Sequence, residues 1–272
     1  MSIAGKVVVV TGSTRGIGRS IAVACARNGA TVVISSRTPE AVALTVTELA
    51  AAGTIASGLA ANVGHFEEVE ALRDHALAAH GHIDVWVSNA GVSNGYRYLD
   101  DESAQEMHDL ITVNLLGQLY GAKAMLPYFR EHGGYLMNLC GRGWKGGATP
   151  YTTAYGASKA ASASLTRSLA AENKDCPNLS INAFTPGMVD TDFYRDDMPV
   201  SPRLRATQGN VRFALEAFGT PLPAVGERCA TLIAEKPGAT TGRIYPMLGL
   251  GHVMVGGAKM AWWGISGKMA RG

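Results

Sequence analysis

The stretch VVVVTGSTRGIG, residues 7–18, joins an apolar run to a glycine-rich turn and leads into an amphipathic segment. Four consecutive valines favour a strand that is buried on both faces of a sheet. Gly12 allows a sharp turn after that strand, while Gly16 and Gly18 let backbone N–H groups at a helix start approach a bound pyrophosphate. The stretch therefore predicts a strand, a phosphate-binding turn and a helix in direct succession.

The change from a short apolar run to a longer amphipathic run recurs along the chain. The runs that predict strands are Val7–Val10, Thr31–Ser35, Thr54–Ala60, Ile83–Ser88, Tyr135–Leu139, Leu179–Phe184 and Arg243–Met247. The runs that predict helices are Gly16–Asn28, Pro39–Ala52, Phe66–His80, Ser103–Arg130, Tyr155–Lys174 and Leu222–Glu235. Such alternation is typical of a parallel sheet covered by helices on both faces. We therefore expect an α/β fold, a doubly wound, Rossmann-like parallel sheet, in a single catalytic domain spanning residues 1–247.

Two segments interrupt this alternation. The connection at residues 188–218 is long enough to predict a lid over the site. Its apolar side chains, which favour an apolar and bulky substrate, include Phe193, Tyr194, Met198 and Phe213. The tail, residues 248–272, contains Trp262 and Trp263 between polar residues. We expect the tail to pack on a partner subunit or to lie on a membrane surface rather than to cross a membrane.

Composition excludes several classes of protein. Of the 272 residues, 47% are hydrophobic, which supports a full core and excludes intrinsic disorder. The formal net charge is +2 without a basic stripe, so a nucleic-acid partner is not expected. The N-terminal residues run into the first strand without a cleavage site, and the four cysteines lack paired spacing. These features predict a reduced, cytoplasmic protein, and no histidine pair shares a helix face with a carboxylate, so no metal is expected.

Five motifs occur along the chain in this order: Thr11-Gly12-x-x-x-Gly16-x-Gly18, Asn89-Ala90-Gly91, Asn114, Tyr155-x-x-x-Lys159 and Pro186-Gly187. Together they resemble the short-chain dehydrogenase/reductase family over residues 5–247. Shorter strings, at residues 88–91, 149–150 and 186–189, are similar to the chlorophyll b reductases. The resemblance implies an oxidoreductase that interconverts a carbonyl (ketone or aldehyde) and an alcohol. With the Ala- and Ser-rich segment at residues 157–164, it also implies a homotetramer or homodimer.

The same resemblance implies which residues line a nicotinamide cofactor. They are Gly12, Ser13, Thr14, Arg15, Gly16, Ile17, Gly18, Asn62, Val63, Asn89, Ala90, Gly91, Tyr155, Lys159, Pro186, Gly187, Val189 and Thr191. Asn62 stands where the family has an Asp that holds the adenine.

The choice between NAD(H) and NADP(H) is predicted at the end of the second strand. Ser35, Ser36 and Arg37 supply no carboxylate for a ribose diol, and Arg15 lies in the glycine turn. Two guanidinium groups can hold a 2′-phosphate, so Ser36 and Arg37 are predicted to bind NADP(H). The alternative is that both arginines only face solvent.

Tyr155 and Lys159 are predicted to be the catalytic pair. They are four residues apart and so lie on one face of a helix. A nearby ammonium group and the positive nicotinamide favour a phenolate, which makes the tyrosine an acid for carbonyl reduction and a base for alcohol oxidation. Asn114 resembles the family's proton-relay asparagine. The alternatives are a surface Tyr–Lys pair and an asparagine that merely caps backbone groups.

The serine that binds the substrate carbonyl in the family is missing here. The aligned position is Gly141, or Arg142 if the loop has its usual length. Candidate replacement donors are Cys140, Arg142, Thr149, Tyr151, Thr152, Thr153 and the N–H groups of the glycine-rich loop. We expect a relocated donor and an active enzyme. The alternative is a catalytically impaired NADP(H)-binding protein.

Overall fold

The computed structural model describes residues 2–191, 198–207, 215–247, 257–259 and 262–263, with the backbone alone at 205–207. Part of the predicted lid, residues 192–197 and 208–214, and nearly all of the predicted tail therefore lie outside the described residues. The division at residue 247 and the roles of the lid and tail stay predictions.

The sheet holds seven parallel strands in the order β3-β2-β1-β4-β5-β6-β7. The strands are β1 Val7–Thr11, β2 Thr31–Ser35, β3 Ala56–Gly58, β4 Val85–Ser88, β5 Gly134–Leu139, β6 Leu179–Thr185 and β7 Ile244–Pro246. The predicted doubly wound parallel sheet in a single domain is confirmed. The strand order reverses between β1 and β4, which opens a crevice at the carboxyl ends of these two strands.

Helices cover both faces of the sheet. They are α1 Gly16–Arg27, α2 Pro39–Ala51, α3 Phe66–His80, α4 Ala104–Ile111, α5 Gly117–His132, α6 Thr153–Glu172 and α7 Leu222–Ile233. Val8 and Val10 of β1 join the apolar cluster under α1 and α7, while Val7 and Val9 join the cluster under α3 and α5. Burial of each valine stabilises the fold by roughly 1.5–3 kcal/mol. Among the described helices, none is long and apolar enough to span a membrane.

The helix predicted at Ser103–Arg130 is present as a continuous helical segment, but it is not uniformly α-helical. The structure has α4, a wider π-helical turn at Thr112–Leu116, and then α5, which runs to His132. The apolar spacing persists through the turn, so the pattern alone does not reveal it. A π-helical turn in a helix often marks a functional position.

Strand β3 is shorter than the predicted run Thr54–Ala60. Only Ala56–Gly58 pair with β2, because β3 is the edge of the sheet and has no second neighbour. The other predicted strands differ from the observed ones by no more than two residues at an end.

Candidate active site

The glycine turn after β1 is packed against the residues that follow β4. Thr11 Oγ1 accepts hydrogen bonds from Asn89 N at 3.0 Å and from Ala90 N at 3.1 Å. A Cβ at Gly12 would lie 2.9 Å from Ala90 Cα, and a Cβ at Gly18 would collide with Gly12 O. Any side chain at these two positions would therefore separate the turn from β4.

Ser13 ties the turn to β2. Its hydroxyl donates to Val10 O at 2.6 Å and accepts from Ser35 N at 3.0 Å, and the residue has no solvent exposure. The Ser13 side chain is thus used within the protein, and its contribution to ligand binding is to fix the turn.

The start of α1 is open to a ligand. Gly16 has φ +54°, and the nearest atom to a Cβ there is Thr191 Cγ2 at 3.8 Å. No acidic residue lies in the first turn and no described side chain caps it. Thr14 and Ile17, half-buried, flank this opening. Uncapped N–H groups at a helix start suit an anion, so these residues fit a pyrophosphate.

The residues after β2 carry hydroxyl and guanidinium groups without a carboxylate. Ser36 Oγ is buried and has no hydrogen-bond partner among the described residues. Arg37 and Arg15 are exposed. The end of β2 therefore carries a buried hydroxyl without a described partner and an exposed cation, and the glycine turn carries a second exposed cation.

Asn62 and Val63 lie in the connection from β3 to α3, at the same carboxyl edge of the sheet as the glycine turn after β1. Asn62 Oδ1 accepts from Gly64 N at 3.1 Å, and Asn62 N donates to Glu68 Oε2 at 2.7 Å. Two hydrogen bonds lower the pKa of the Glu68 carboxyl. The larger effect comes from Asn62 N and the smaller one from the His65 side chain. Val63 is buried. The Asn62 side chain thus shapes a turn beside the crevice.

Asn114 lies in the π-helical turn and is fully buried. Its Oδ1 accepts from Val92 N at 2.8 Å, while its Nδ2 donates to Val92 O at 3.0 Å and to Ser158 Oγ at 3.3 Å. A Cβ at Gly91 would lie 3.2 Å from Asn114 Oδ1 and 3.7 Å from Lys159 Nζ. The structure therefore brings Asn114, Gly91 and Lys159 together.

Lys159 is a buried cation beside Tyr155. Its Nζ donates to Leu139 O at 3.2 Å and lies 5.5 Å from the centre of the Tyr155 ring. Burial lowers the pKa of Lys159 to about 8, and the neighbouring Cys140 opposes this shift. Burial also raises the pKa of the Cys140 thiol to about 11. At neutral pH the lysine is therefore mostly charged and the thiol is neutral.

Gly141 lies against the phenol of Tyr155. A Cβ at position 141 would be 2.6 Å from Tyr155 Oη and 3.5 Å from Lys159 Cγ. The phenol thus occupies the space into which any side chain at position 141 would project.

The other candidate donors differ in availability. Thr149 and Thr152 hydroxyls donate to each other's carbonyl oxygens, at 3.5 and 3.3 Å. Thr153 is exposed at the start of α6. Arg142 is exposed and lies near the phenol of Tyr96. Burial raises the pKa of Tyr96, and the positive charge of Arg142 partly opposes this rise. Arg142 is thus an exposed charged group close to Tyr96, in the loop that follows β5.

The segment after β6 closes the crevice from the other side. Gly187 has φ +77° after Pro186, and Val189 is buried. Thr191 Oγ1 donates to Val189 O at 3.4 Å, and its methyl group faces Gly16. The described residues contain no cluster of three His, Cys, Asp or Glu that could hold a metal ion.

Sequence reasoning missed a group of rings that we call the tyrosine junction, formed by Tyr96, Tyr98 and Tyr151. The Tyr151 ring packs edge-on against Tyr96 at 5.0 Å and against Tyr98 at 5.1 Å between centres. Tyr96 and Tyr98 are close in sequence, but no pattern links them to Tyr151, so only the fold reveals the junction.

Comparison with known proteins agrees with this geometry. The short chain dehydrogenase family model matches residues 6–199. Chlorophyll(ide) b reductase NOL from Oryza sativa subsp. japonica is 37% identical over 193 residues, which cover 68% of this chain and 56% of that protein. Dehydrogenase/reductase SDR family member 4 from Oryctolagus cuniculus is 35% identical over 195 residues, which cover 70% of this chain and 73% of that protein. The chain thus spans about half the length of the plant reductase.

Two solved structures share the fold. A putative short-chain alcohol dehydrogenase from Sinorhizobium meliloti 1021 superposes with a TM-score of 0.80 at 29% identity, over 93% of this chain and 98% of that chain. A gluconate 5-dehydrogenase from Burkholderia cenocepacia J2315, in complex with NADP and tartrate, gives a TM-score of 0.77 at 26% identity, over 90% and 94%. The fold binds a nicotinamide cofactor, and members of the family act on small molecules and are commonly oligomeric. This chain belongs to the short-chain dehydrogenase/reductase family of oxidoreductases.

Proposed function

We propose that the protein is an NADP(H)-dependent reductase or dehydrogenase that acts on a carbonyl/alcohol pair. The observation that carries the proposal is the buried Lys159 ammonium group beside Tyr155, at the crevice where Asn114 and Gly91 also converge. Burial of a charge in an apolar interior costs free energy, and groups perturbed in this way concentrate at functional sites. The position of Lys159 one helical turn from the Tyr155 phenol is consistent with such a site.

The chemistry is divided between cofactor and protein. When bound, the nicotinamide donates or accepts the hydride. Tyr155 gives its phenolic proton to the substrate oxygen in reduction and takes it back in oxidation. Lys159, which is largely protonated near neutral pH, favours the phenolate by its positive charge. Asn114 fixes the backbone at Val92 and so holds Gly91 beside the lysine.

The preference for NADP(H) is supported at the end of β2. The Ser36 hydroxyl without a described partner, the exposed Arg37 and the absence of a carboxylate support the proposed 2′-phosphate site, to which Arg15 of the glycine turn would add a second cation. Each charged hydrogen bond contributes ~1.5–3 kcal/mol, so we expect roughly tenfold to hundredfold tighter binding of NADPH than of NADH.

The substrate is proposed to be an apolar, bulky carbonyl compound, and the protein a cytoplasmic homo-oligomer. The composition of the connection at residues 188–218, which includes Phe193, Tyr194, Met198 and Phe213, supports an apolar and bulky substrate. Because a plant relative is a chlorophyll(ide) b reductase, chlorophyllide b belongs among the aldehydes to be tested.

The experiment is a panel of ketones and aldehydes followed by NADPH absorbance, with fluorescence titration of both cofactors. We expect turnover by the wild type, loss of most turnover in Tyr155→Phe with unchanged cofactor affinity, and loss of the NADPH preference in Arg37→Ala. Arg27→Ala, an exposed arginine at the end of α1, serves as the charge control. Tight NADPH binding without turnover of any carbonyl would favour a catalytically impaired binding protein, and wild-type kcat in Tyr155→Phe would reject the assigned acid/base.

A further inference from the structure

Tyr151 has an unfavourable backbone conformation. Among the described residues it is the one non-glycine residue with a positive φ, +65°. It directly precedes Thr152, the N-cap residue of α6, and lies four residues before Tyr155. Non-glycine residues persist in this region only when their surroundings hold them there, and such residues concentrate at functional sites.

The surroundings that hold Tyr151 come from the loop after β4. Tyr151 O accepts a hydrogen bond from Arg97 N at 2.8 Å. The Tyr151 ring packs edge-on against the Tyr98 ring at 5.1 Å between centres, and the proximity of the two phenols raises the pKa of Tyr98. Arg97 is fixed in turn, since its guanidinium group donates to Glu106 Oε1 and to Asn94 O, both at 2.8 Å. The left-handed turn at Tyr151 is thus determined by contacts distant in sequence.

The same loop is joined to the segment at residues 198–204. Tyr96 N donates to Pro199 O at 2.9 Å, and Ser201 N donates to Tyr96 O at 3.2 Å. Tyr98 N donates to Ser201 Oγ at 2.9 Å, and the Arg203 guanidinium group lies 4.0 Å from the centre of the Tyr98 ring. The tyrosine junction therefore lies between segment 198–204 and the start of α6.

One side of the start of α6 packs tightly against the loop at residues 143–149. A Cβ at Gly143 would lie 2.6 Å from Gly156 O, and a Cβ at Gly156 would collide with Thr149 Oγ1. Helix α6 carries Tyr155, whose Oη lies directly against Gly141 in the loop that follows β5. A change in the direction of α6 would therefore move the phenol relative to Gly141 and β5.

We propose that Tyr151 is a positioning residue for Tyr155, and that the tyrosine junction couples the position of this phenol to the docking of segment 198–204. This inference rests on the proposed function, because it assigns Tyr155 as the acid/base. It predicts that the ring of Tyr151, rather than its backbone strain, sets the rate.

The test compares Tyr151→Phe, Tyr151→Ala and Tyr151→Gly. Phenylalanine keeps the ring, alanine loses the ring and keeps the strain, and glycine loses both. We expect kcat within about threefold of wild type for Tyr151→Phe, and at least about tenfold lower for the other two, since small misplacements of reacting groups have large rate effects. KM and cofactor affinity should change little, and the pH–kcat profile should shift. Tyr128→Ala, which removes a ring stacked on His132, is the control that lowers stability without changing kcat.

A merely structural role predicts instead that kcat follows thermal stability, so Tyr151→Gly, which has no strain, would recover most of the rate. That result overturns the proposal. Amide exchange supplies a readout independent of turnover, and we expect faster exchange at Ser201 and Leu204 in Tyr151→Gly but not in Tyr151→Phe. Unchanged amide exchange at Ser201 and Leu204 in Tyr151→Gly overturns the proposed coupling between the tyrosine junction and segment 198–204. A wild type that binds NADPH but reduces no carbonyl overturns the proposed function, and with it the role of Tyr151 in catalysis, whatever the exchange shows.

Discussion

At the scale of single residues, Gly141 constrains the chemistry of the site most directly. A serine there restores the hydroxyl that the family uses, but its Cβ would lie 2.6 Å from Tyr155 Oη. Non-bonded carbon and oxygen atoms do not approach this closely, so the phenol must move away from its reacting position. We expect Gly141→Ser to lower kcat by roughly tenfold or more, because a shift of about 1 Å in a catalytic group has effects of that size.

The matched control for this prediction is Gly147→Ser. Gly147 lies in the same loop, and a Cβ there has no described neighbour within 4 Å. Steady-state kinetics with the best substrate should show wild-type kcat for the control. A rise of about a hundredfold in kcat for Gly141→Ser, the value of one preorganised donor, would show that the site lacks a donor.

Lys159 predicts a dependence of stability on pH. Its pKa falls from 10.5 to about 8 on folding, so between these values the unfolded chain binds the proton more strongly, and stability rises as the pH increases. At pH 7 the buried charge lowers the unfolding free energy by on the order of 3 kcal/mol. Lys159→Met removes this cost and one hydrogen bond, and we expect it to raise the unfolding free energy by about 1–2 kcal/mol at pH 7.

Denaturant unfolding of both proteins from pH 7 to 10.5 measures this effect. The advantage of Lys159→Met should shrink as the pH rises and vanish by pH 10.5. A difference that stays constant over this range would show that burial does not perturb the lysine.

At the scale of secondary-structure elements, the predictable parts of the site are those whose partners are close in sequence. The glycine turn with the start of α1, and the Tyr155–Lys159 pair on α6, follow from spacing alone. The π-helical turn does not, because its apolar spacing continues that of the flanking helices, and the partner of Asn114 is the backbone of Val92 in another loop. The sequence presents Tyr151 only as a candidate hydroxyl donor, since its packing against Tyr96 and Tyr98 depends on the fold.

The π-helical turn carries its own prediction. Asn114→Ala removes both side-chain hydrogen bonds to the half-buried backbone of Val92, and at roughly 0.5–1.5 kcal/mol for each bond we expect the unfolding free energy to fall by about 1–3 kcal/mol. Turnover should fall as well, because Gly91 loses its fixed position beside Lys159. Asn173→Ala is the matched control, since it removes a buried asparagine that bonds Leu169 O and Arg130 Nε away from the site. Equal loss of kcat in both variants at a temperature where both are folded would contradict a specific role for Asn114.

At the scale of the whole molecule, the fold class followed from the alternation of apolar runs because parallel strands buried on both faces have few other arrangements. The crevice then follows from the reversal of strand order between β1 and β4. Because the strands are parallel, the carboxyl ends of β1, β4, β5 and β6 lie at the same edge of the sheet. Association between copies of the chain is less predictable, because the Ala- and Ser-rich segment at residues 157–164 also packs within the chain, where Ser158, Ser162 and Ala163 are buried.

The exposed stripe of α6 is the surface we expect to mediate association. Ala157, Ser164 and Ser168 lie on it two or one turns apart, and their small side chains allow close approach of a second helix. An arginine at position 164 would place a long charged group in that contact, where desolvation costs several kcal/mol. Ser164→Arg should therefore lower the mass measured by light scattering, while Leu44→Arg, at an exposed leucine on α2, should leave it unchanged. A wild-type mass equal to the 28.5 kDa of one chain, or an unchanged mass in Ser164→Arg, would contradict this assignment.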